Sequence, residues 1–90
     1  MKNQEFLDFL TKNKFPEPVL VEQPPNGFLD THKHDFEVYA LVTEGSIEID
    51  INGVTNKYIV GEIFYLKFQQ PHKEKYGASG VKYLASRKIR

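Results

Sequence analysis

Two histidines separated by a single residue, in Thr31-His32-Lys33-His34, are the side chains best placed by type and spacing to do chemistry in this chain. On an extended segment successive side chains point to opposite sides, so His32 and His34 share a face and offer both imidazoles to one point. Such a pair clamps a metal once a third ligand joins it. The only other histidine, His72, follows a second strand-like run and a turn. All three rings converge if those strands face each other across one small barrel.

The elements that must bring them together read as strands. Ser46-Ile47-Glu48-Ile49-Asp50-Ile51 alternates strictly, which puts the three isoleucines inward. Asn52-Gly53 is a strong hairpin signal, since both residues tolerate positive φ, and 55–60 supplies the returning strand. Val19-Leu20-Val21 is a short strand before the break at Pro24-Pro25-Asn26-Gly27. If His32 and His34 face inward, period two carries Phe36, Val38 and Ala40 to the same side and Asp35, Glu37 and Tyr39 to the other. Thr43-Glu44-Gly45 reads as a turn, Gly61-Glu62 as a break, and Ile63 to Phe68 as a strand. After Gln69-Gln70-Pro71, the chain extends from His72 to Tyr76, Gly77-Ala78-Ser79-Gly80 closes a hairpin, and Val81 to Ser86 is the last strand. Ahead of all this, Phe6, Leu7, Phe9 and Leu10 near i, i+3, i+4 spacing predict a short amphipathic helix over 3–13, ended by Pro16 and Pro18. So short a helix needs support, and its aromatic face must lie on the domain or on a second copy.

Composition narrows the function classes. Ninety residues, 40% of them apolar, suit one domain near the small end of what folds on a single core. Twelve basic and twelve acidic residues cancel, which argues against nucleic acid or an anionic membrane as partner. The basic end, Arg87-Lys88-Ile89-Arg90, reads as a solvated tail. The absence of cysteine excludes disulfides, thiolate metal sites and thiol catalysis. No stretch has the ~20 apolar residues of a membrane span and residues 1–5 lack a signal-like run, so a soluble, cytoplasmic protein is the expectation.

With these residues in hand, the sequence resembles the cupins over roughly Gly27 to Tyr83. Their first motif runs from a glycine to His-x-His, a glutamate and a closing glycine. His32, His34 and Gly45 match it, and Leu41-Val42-Thr43-Glu44-Gly45-Ser46 is similar to the usual approach to that glycine, with Gly27 one residue out of register. In the second motif Gly61 and His72 fall in register, with Pro71 before the histidine. The departures are Val38 at the glutamate position, with Glu37 one residue early, then Lys67 at the proline, Gln69 at the glycine and Tyr76 at the asparagine. A bulge between His34 and Glu37 would rotate Glu37 inward as a fourth ligand or general base; without one it is a solvated strand carboxylate.

The resemblance implies an all-β fold: a cupin-type double-stranded β-helix, or jelly-roll barrel, with a short N-terminal α-helix. It would form one domain over 1–90, with helix and linker in 1–15 and the barrel over 19–87. It also implies a divalent transition metal (Fe, Zn, Ni, Mn or Cu) held by His32, His34 and His72, with no fourth ligand evident beyond Glu37. Phe36, Val38, Phe64, Tyr76 and Tyr83 are the pocket candidates, and Lys67 is a possible contact for an anionic ligand. Three functions stay open. One is a metal-dependent dioxygenase or isomerase acting on a small molecule, since cupins resembling the thiol dioxygenases work with three histidines alone. The others are a non-catalytic module that binds or senses a small molecule, and a structural dimer with a vestigial pocket. A homodimer is expected, with Val19 to Val21 and the helix as candidate interface.

Overall fold

The alternating apolar runs pair into antiparallel strands, and a computed structural model describes them for residues 1–89. Helix α1, Asn3–Lys12, is followed by β1 (Val19–Gln23), β2 (Phe28–His32), β3 (Phe36–Ile51), β4 (Val54–Ile59), β5 (Ile63–Leu66) and β6 (His72–Ile89). The two long strands, β3 and β6, pair with each other along most of their length. Each has two flanks. The first part of β3 takes β5 and its second part β4. The first part of β6 takes β2 and its second part β1. Two four-stranded layers result, β1-β6-β3-β5 and β2-β6-β3-β4, joined through the strands they share. This is a jelly-roll arrangement, all-β apart from α1.

Both long strands correct the sequence reading at the same place. Thr43-Glu44-Gly45 does not reverse the chain, nor does Gly77-Ala78-Ser79-Gly80; each is a bulge inside a continuing strand. Gly45 and Gly80 have φ of 71° and 75°, and a Cβ on Gly45 would lie 2.0 Å from the Gly80 carbonyl oxygen. Two glycine backbones packed this closely let the paired strands bend together from one layer into the other. The bulge also shifts the parity of β3. Val38, Ala40 and Val42 are buried in the barrel, and so are Ile47 and Ile49, although Ile47 lies an odd step of five positions beyond Val42. The Asn52-Gly53 hairpin forms as expected, with φ of 53° and 82°.

The helix belongs to its own domain. Phe6 and Leu10 are buried against Leu41 on the outer face of β3, and the Phe9 and Phe15 rings each lie 4.9 Å from that of Tyr39. Truncating a fully buried Phe or Leu costs about 3–5 kcal/mol, so α1 is firmly docked. The Ser86 hydroxyl, donating to the Pro16 carbonyl at 2.6 Å, ties the linker to β6. Among the described residues no helix is long and apolar enough to cross a membrane.

Candidate metal centre

The three histidines meet at one end of the barrel. His32 closes β2 and His72 opens β6, and the two are direct cross-strand partners with ring centroids 4.2 Å apart. His34 lies just beyond β2 rather than within it, in the crossing to β3. That crossing is held by Gln69, whose N–H donates to the His34 carbonyl (2.8 Å) and whose side-chain amide donates to Asp35 (2.7 Å). The His34 ring then sits 5.0 Å from His32 and 5.4 Å from His72.

The carboxylate that joins them is Glu74, not Glu37. Glu37 alternates with the inward Phe36 and Val38, so it stands on the outer face of β3, opposite Lys88. The register from Phe36 to Val42 is unbroken, so no bulge turns it inward. Glu74 follows His72 by two positions and shares its inward face. The signal was in the sequence: His72-Lys73-Glu74 repeats the ligand-x-ligand spacing of His32-Lys33-His34. One ligand atom from each of His32, His34, His72 and Glu74 lies within 4.8 Å of the others, so the group can hold a metal ion.

The hydrogen bonds show how well this set suits a cation. The Nδ1 atoms of His32 and His72 lie 2.8 and 2.9 Å from the carbonyls of Asp30 and Gln70, the same two-residue step back in each case. A carbonyl only accepts, so each ring places a proton on Nδ1 and, when neutral, a lone pair on Nε2. Both Nε2 atoms are 3.0 Å from the same oxygen, Oε2 of Glu74. Two lone pairs and a carboxylate oxygen converge on one point, and only a positive species can satisfy them. Without a metal, protons do so. Burial works against charge on His72, but hydrogen bonds to Glu74 and the Gln70 carbonyl outweigh it and hold its pKa above 6.5. Burial pushes Glu74 up, yet hydrogen bonds from His72 and Tyr76 and the nearby imidazole charges hold it below 4.5. His34 is lowered by burial and by the charges of His32 and His72, which favours the neutral, ligating form. Donors about 2.0–2.2 Å from one ion stand roughly 3–4 Å apart, so this group closes on an ion with small side-chain movements.

Beside the cluster is a cavity of about 180 Å³. Of the pocket candidates, Phe36, Val38, Phe64 and Tyr83 line it. Tyr76 does not; it is buried in the core, where its hydroxyl donates to Oε1 of Glu74 at 3.1 Å. Burial and the Glu74 charge push the Tyr76 phenol well above its ordinary value, so it stays a donor. Lys67 is exposed and does not reach the cavity wall. The cation there is Arg87, which the sequence reading left in a solvated tail; Arg90 of that tail lies outside the described residues.

Neither a protein-family model nor a curated protein sequence matches this chain. Solved structures do. A cupin superfamily protein from Desulfitobacterium hafniense superposes with a TM-score of 0.69 at 13% identity, over 79% of this chain and 64% of its own. The cupin domain of Schizosaccharomyces pombe Cnp3 gives 0.71 at 16% identity, over 83% and 58%. The chain has the cupin fold. A Bacillus subtilis oxalate decarboxylase has the same fold, with a TM-score of 0.69 at 19% identity over 80% of this chain. The chain spans only 20% of that enzyme and less than two thirds of the other two proteins.

Proposed function

We propose that the chain is a small metal-dependent enzyme of the dioxygenase or isomerase type, in which His32, His34, His72 and Glu74 hold a divalent transition metal (Fe, Mn, Ni, Cu or Zn). The observation that carries this reading is the convergence of three imidazoles and one carboxylate at the wall of a small cavity. Bound there, the metal supplies a Lewis acid or a site for oxygen activation, and a six-coordinate ion keeps two positions open. The chain's own part is to fix the ligands and shape the cavity. The Asp30 and Gln70 carbonyls set the two imidazoles, Tyr76 sets the carboxylate, and Phe36, Val38 and Phe64 make the cavity wall apolar.

One feature favours a second reading, a module that binds a small molecule without converting it. Glu74 is the only carboxylate on the cavity wall among the described residues, and it belongs to the ligand set. Burial raises the Tyr83 phenol, so it keeps its proton and is a poor base. Under either reading we take the working form to be a soluble, cytoplasmic homodimer with a small molecule as ligand. The dimer is supported by the flank of β1, where Leu20 is 55% exposed and the strand has one neighbour among the described residues.

The test is metal analysis by plasma mass spectrometry on protein purified without a histidine tag, beside a His32→Ala/His72→Ala double variant. Near-stoichiometric metal in the parent and none in the variant is the expected result. A parent that stays empty after incubation with each of the five metals sinks the metal-centre reading. Loaded protein with no oxygen uptake and no turnover across a panel of small acids, sugars and thiols leaves the binding module as the function.

A further inference from the structure

Among the described residues Arg87 is the one guanidinium or ammonium group on the cavity wall. Its place there follows from alternation along β6, where Tyr83 and Ala85 face inward and Arg87 is the next residue in that series, opposite Val38. The histidine cluster is built from the β2 side of the barrel, whereas Arg87 comes from the other layer, so the cavity lies between them. Phe36 connects the two. Its ring stacks on His34 at 4.9 Å with 9° between planes, and the Arg87 guanidinium lies 5.7 Å from its centroid.

Three observations say what this arrangement takes. Among the described residues no ion pair or side-chain hydrogen bond engages the Arg87 guanidinium, and its fork of donors suits a carboxylate. Among the described residues the one carboxylate on the cavity wall is Glu74, and its oxygens are taken by His32, His72 and Tyr76. A divalent ion balanced by Glu74 alone, together with Arg87, leaves the cavity with an excess of positive charge. At about 180 Å³ it is smaller than the ~300–1,000 Å³ pockets that hold drug-sized ligands, so the occupant has only a few carbons.

We propose that the cavity takes a small two-headed organic anion, with one oxygen-bearing end at the metal cluster and a carboxylate at the other end paired with Arg87. The proposal rests on the metal-centre reading above and adds the class of ligand. Arg87 is then the residue that selects for the second charge, and Phe36 holds the guanidinium in position without competing for its donors.

The test uses zinc-loaded full chain and four probes: malonate and succinate, beside propionate and butyrate, which have the same carbon counts but one carboxylate fewer. Affinities are read by titration calorimetry, with metal content measured on the same samples. The parent should bind each two-headed acid about tenfold more tightly than its one-headed counterpart. Arg87→Met should bring that preference within about twofold while leaving zinc content and one-headed affinity unchanged, and Arg87→Lys should keep only part of it, having charge without the fork. A loaded parent with no preference, or a preference that survives Arg87→Met, overturns this inference and leaves the metal centre standing. A parent that takes up no zinc overturns both.

Discussion

Replacing Glu74 by Gln separates a ligand set from an ordinary buried ion pair, because the expected effect changes sign with pH. In the metal-free protein a neutral imidazole held by the Asp30 or Gln70 carbonyl points its Nε2 lone pair at a carboxylate oxygen 3.0 Å away, the state that alkaline pH favours. The amide introduced by Glu74→Gln would donate to both instead, and its oxygen would still accept from Tyr76. One or two new hydrogen bonds are worth about 1–2 kcal/mol. At about 4–8 °C per kcal/mol for a domain of this size, Tm should rise by about 4–16 °C. At pH 5.5 the sign reverses. His72 has a raised folded pKa, so its contribution is complete below its ordinary 6.5 and is lost as pH rises through the folded value. Glu74 has a depressed one, so its contribution is complete above 4.5 and is lost as pH falls through the folded value. Between 4.5 and 6.5 both are present, and the variant forfeits charged hydrogen bonds worth about 1.5–3 kcal/mol. Metal adds a third arm. At one hundred times Kd the parent gains about 2.7 kcal/mol, whereas a variant weakened a hundredfold gains about 0.4 at the same concentration. Thermal melts at pH 5.5 and 9, and at pH 7.5 with and without zinc, read all three. A variant less stable than the parent at both extremes refutes the lone-pair argument, and equal stabilisation by zinc removes Glu74 from the ligand set.

Tyr76→Phe takes away the hydroxyl that holds Oε1 of Glu74 and should weaken zinc about tenfold in competition with a chelator, leaving the fold intact; unchanged affinity would make Tyr76 a packing residue only. Gly45→Ala should cost at least about 3 kcal/mol by urea denaturation, since the left-handed backbone alone costs about 1–2 and the added carbon meets the Gly80 carbonyl. Gly53→Ala shares the positive φ but meets no atom within 4 Å, so it should lose only the smaller amount; equal losses would dismiss the close approach at the bend. Light scattering at micromolar concentration should find a dimer that Leu20→Lys converts to monomer, and a monomeric parent ends the case for pairing along β1.

The residues explain what could be read in advance and what could not. Ser46 to Ile51 and Asn52-Gly53 announce their structure because alternation and hairpin chemistry are local. The histidines were legible because a two-residue step fixes a face wherever the chain is extended. Glu74 obeys the same rule, two positions on from His72, but a carboxylate in an alternating charged stretch such as Lys73-Glu74-Lys75 has the pattern of a solvated strand edge until the fold sets it against His32. Arg87 was overlooked for a similar reason, its basic neighbours reading as a tail while Tyr83 and Ala85 were already carrying it inward. The bends at Gly45 and Gly80 were out of reach in a different way. A glycine in a polar stretch serves a reversal or a bulge equally well, and what decides is a partner backbone more than thirty residues away.

The pairing of His32 with His72 gives any bound ion a part in the order of folding. All four ligands come from two short segments, 32–34 and 72–74, so an ion between them is a removable staple across a chain loop of about 40 residues. By the chain-entropy relation used for disulfides, a closed loop of that length is worth about 4 kcal/mol against the unfolded chain. The staple cannot close until β6 has docked on β2, late in a topology dominated by distant contacts. Its effect therefore falls on the rate of unfolding rather than of folding, and a chelator should shorten the lifetime of the native state while leaving the refolding rate nearly unchanged.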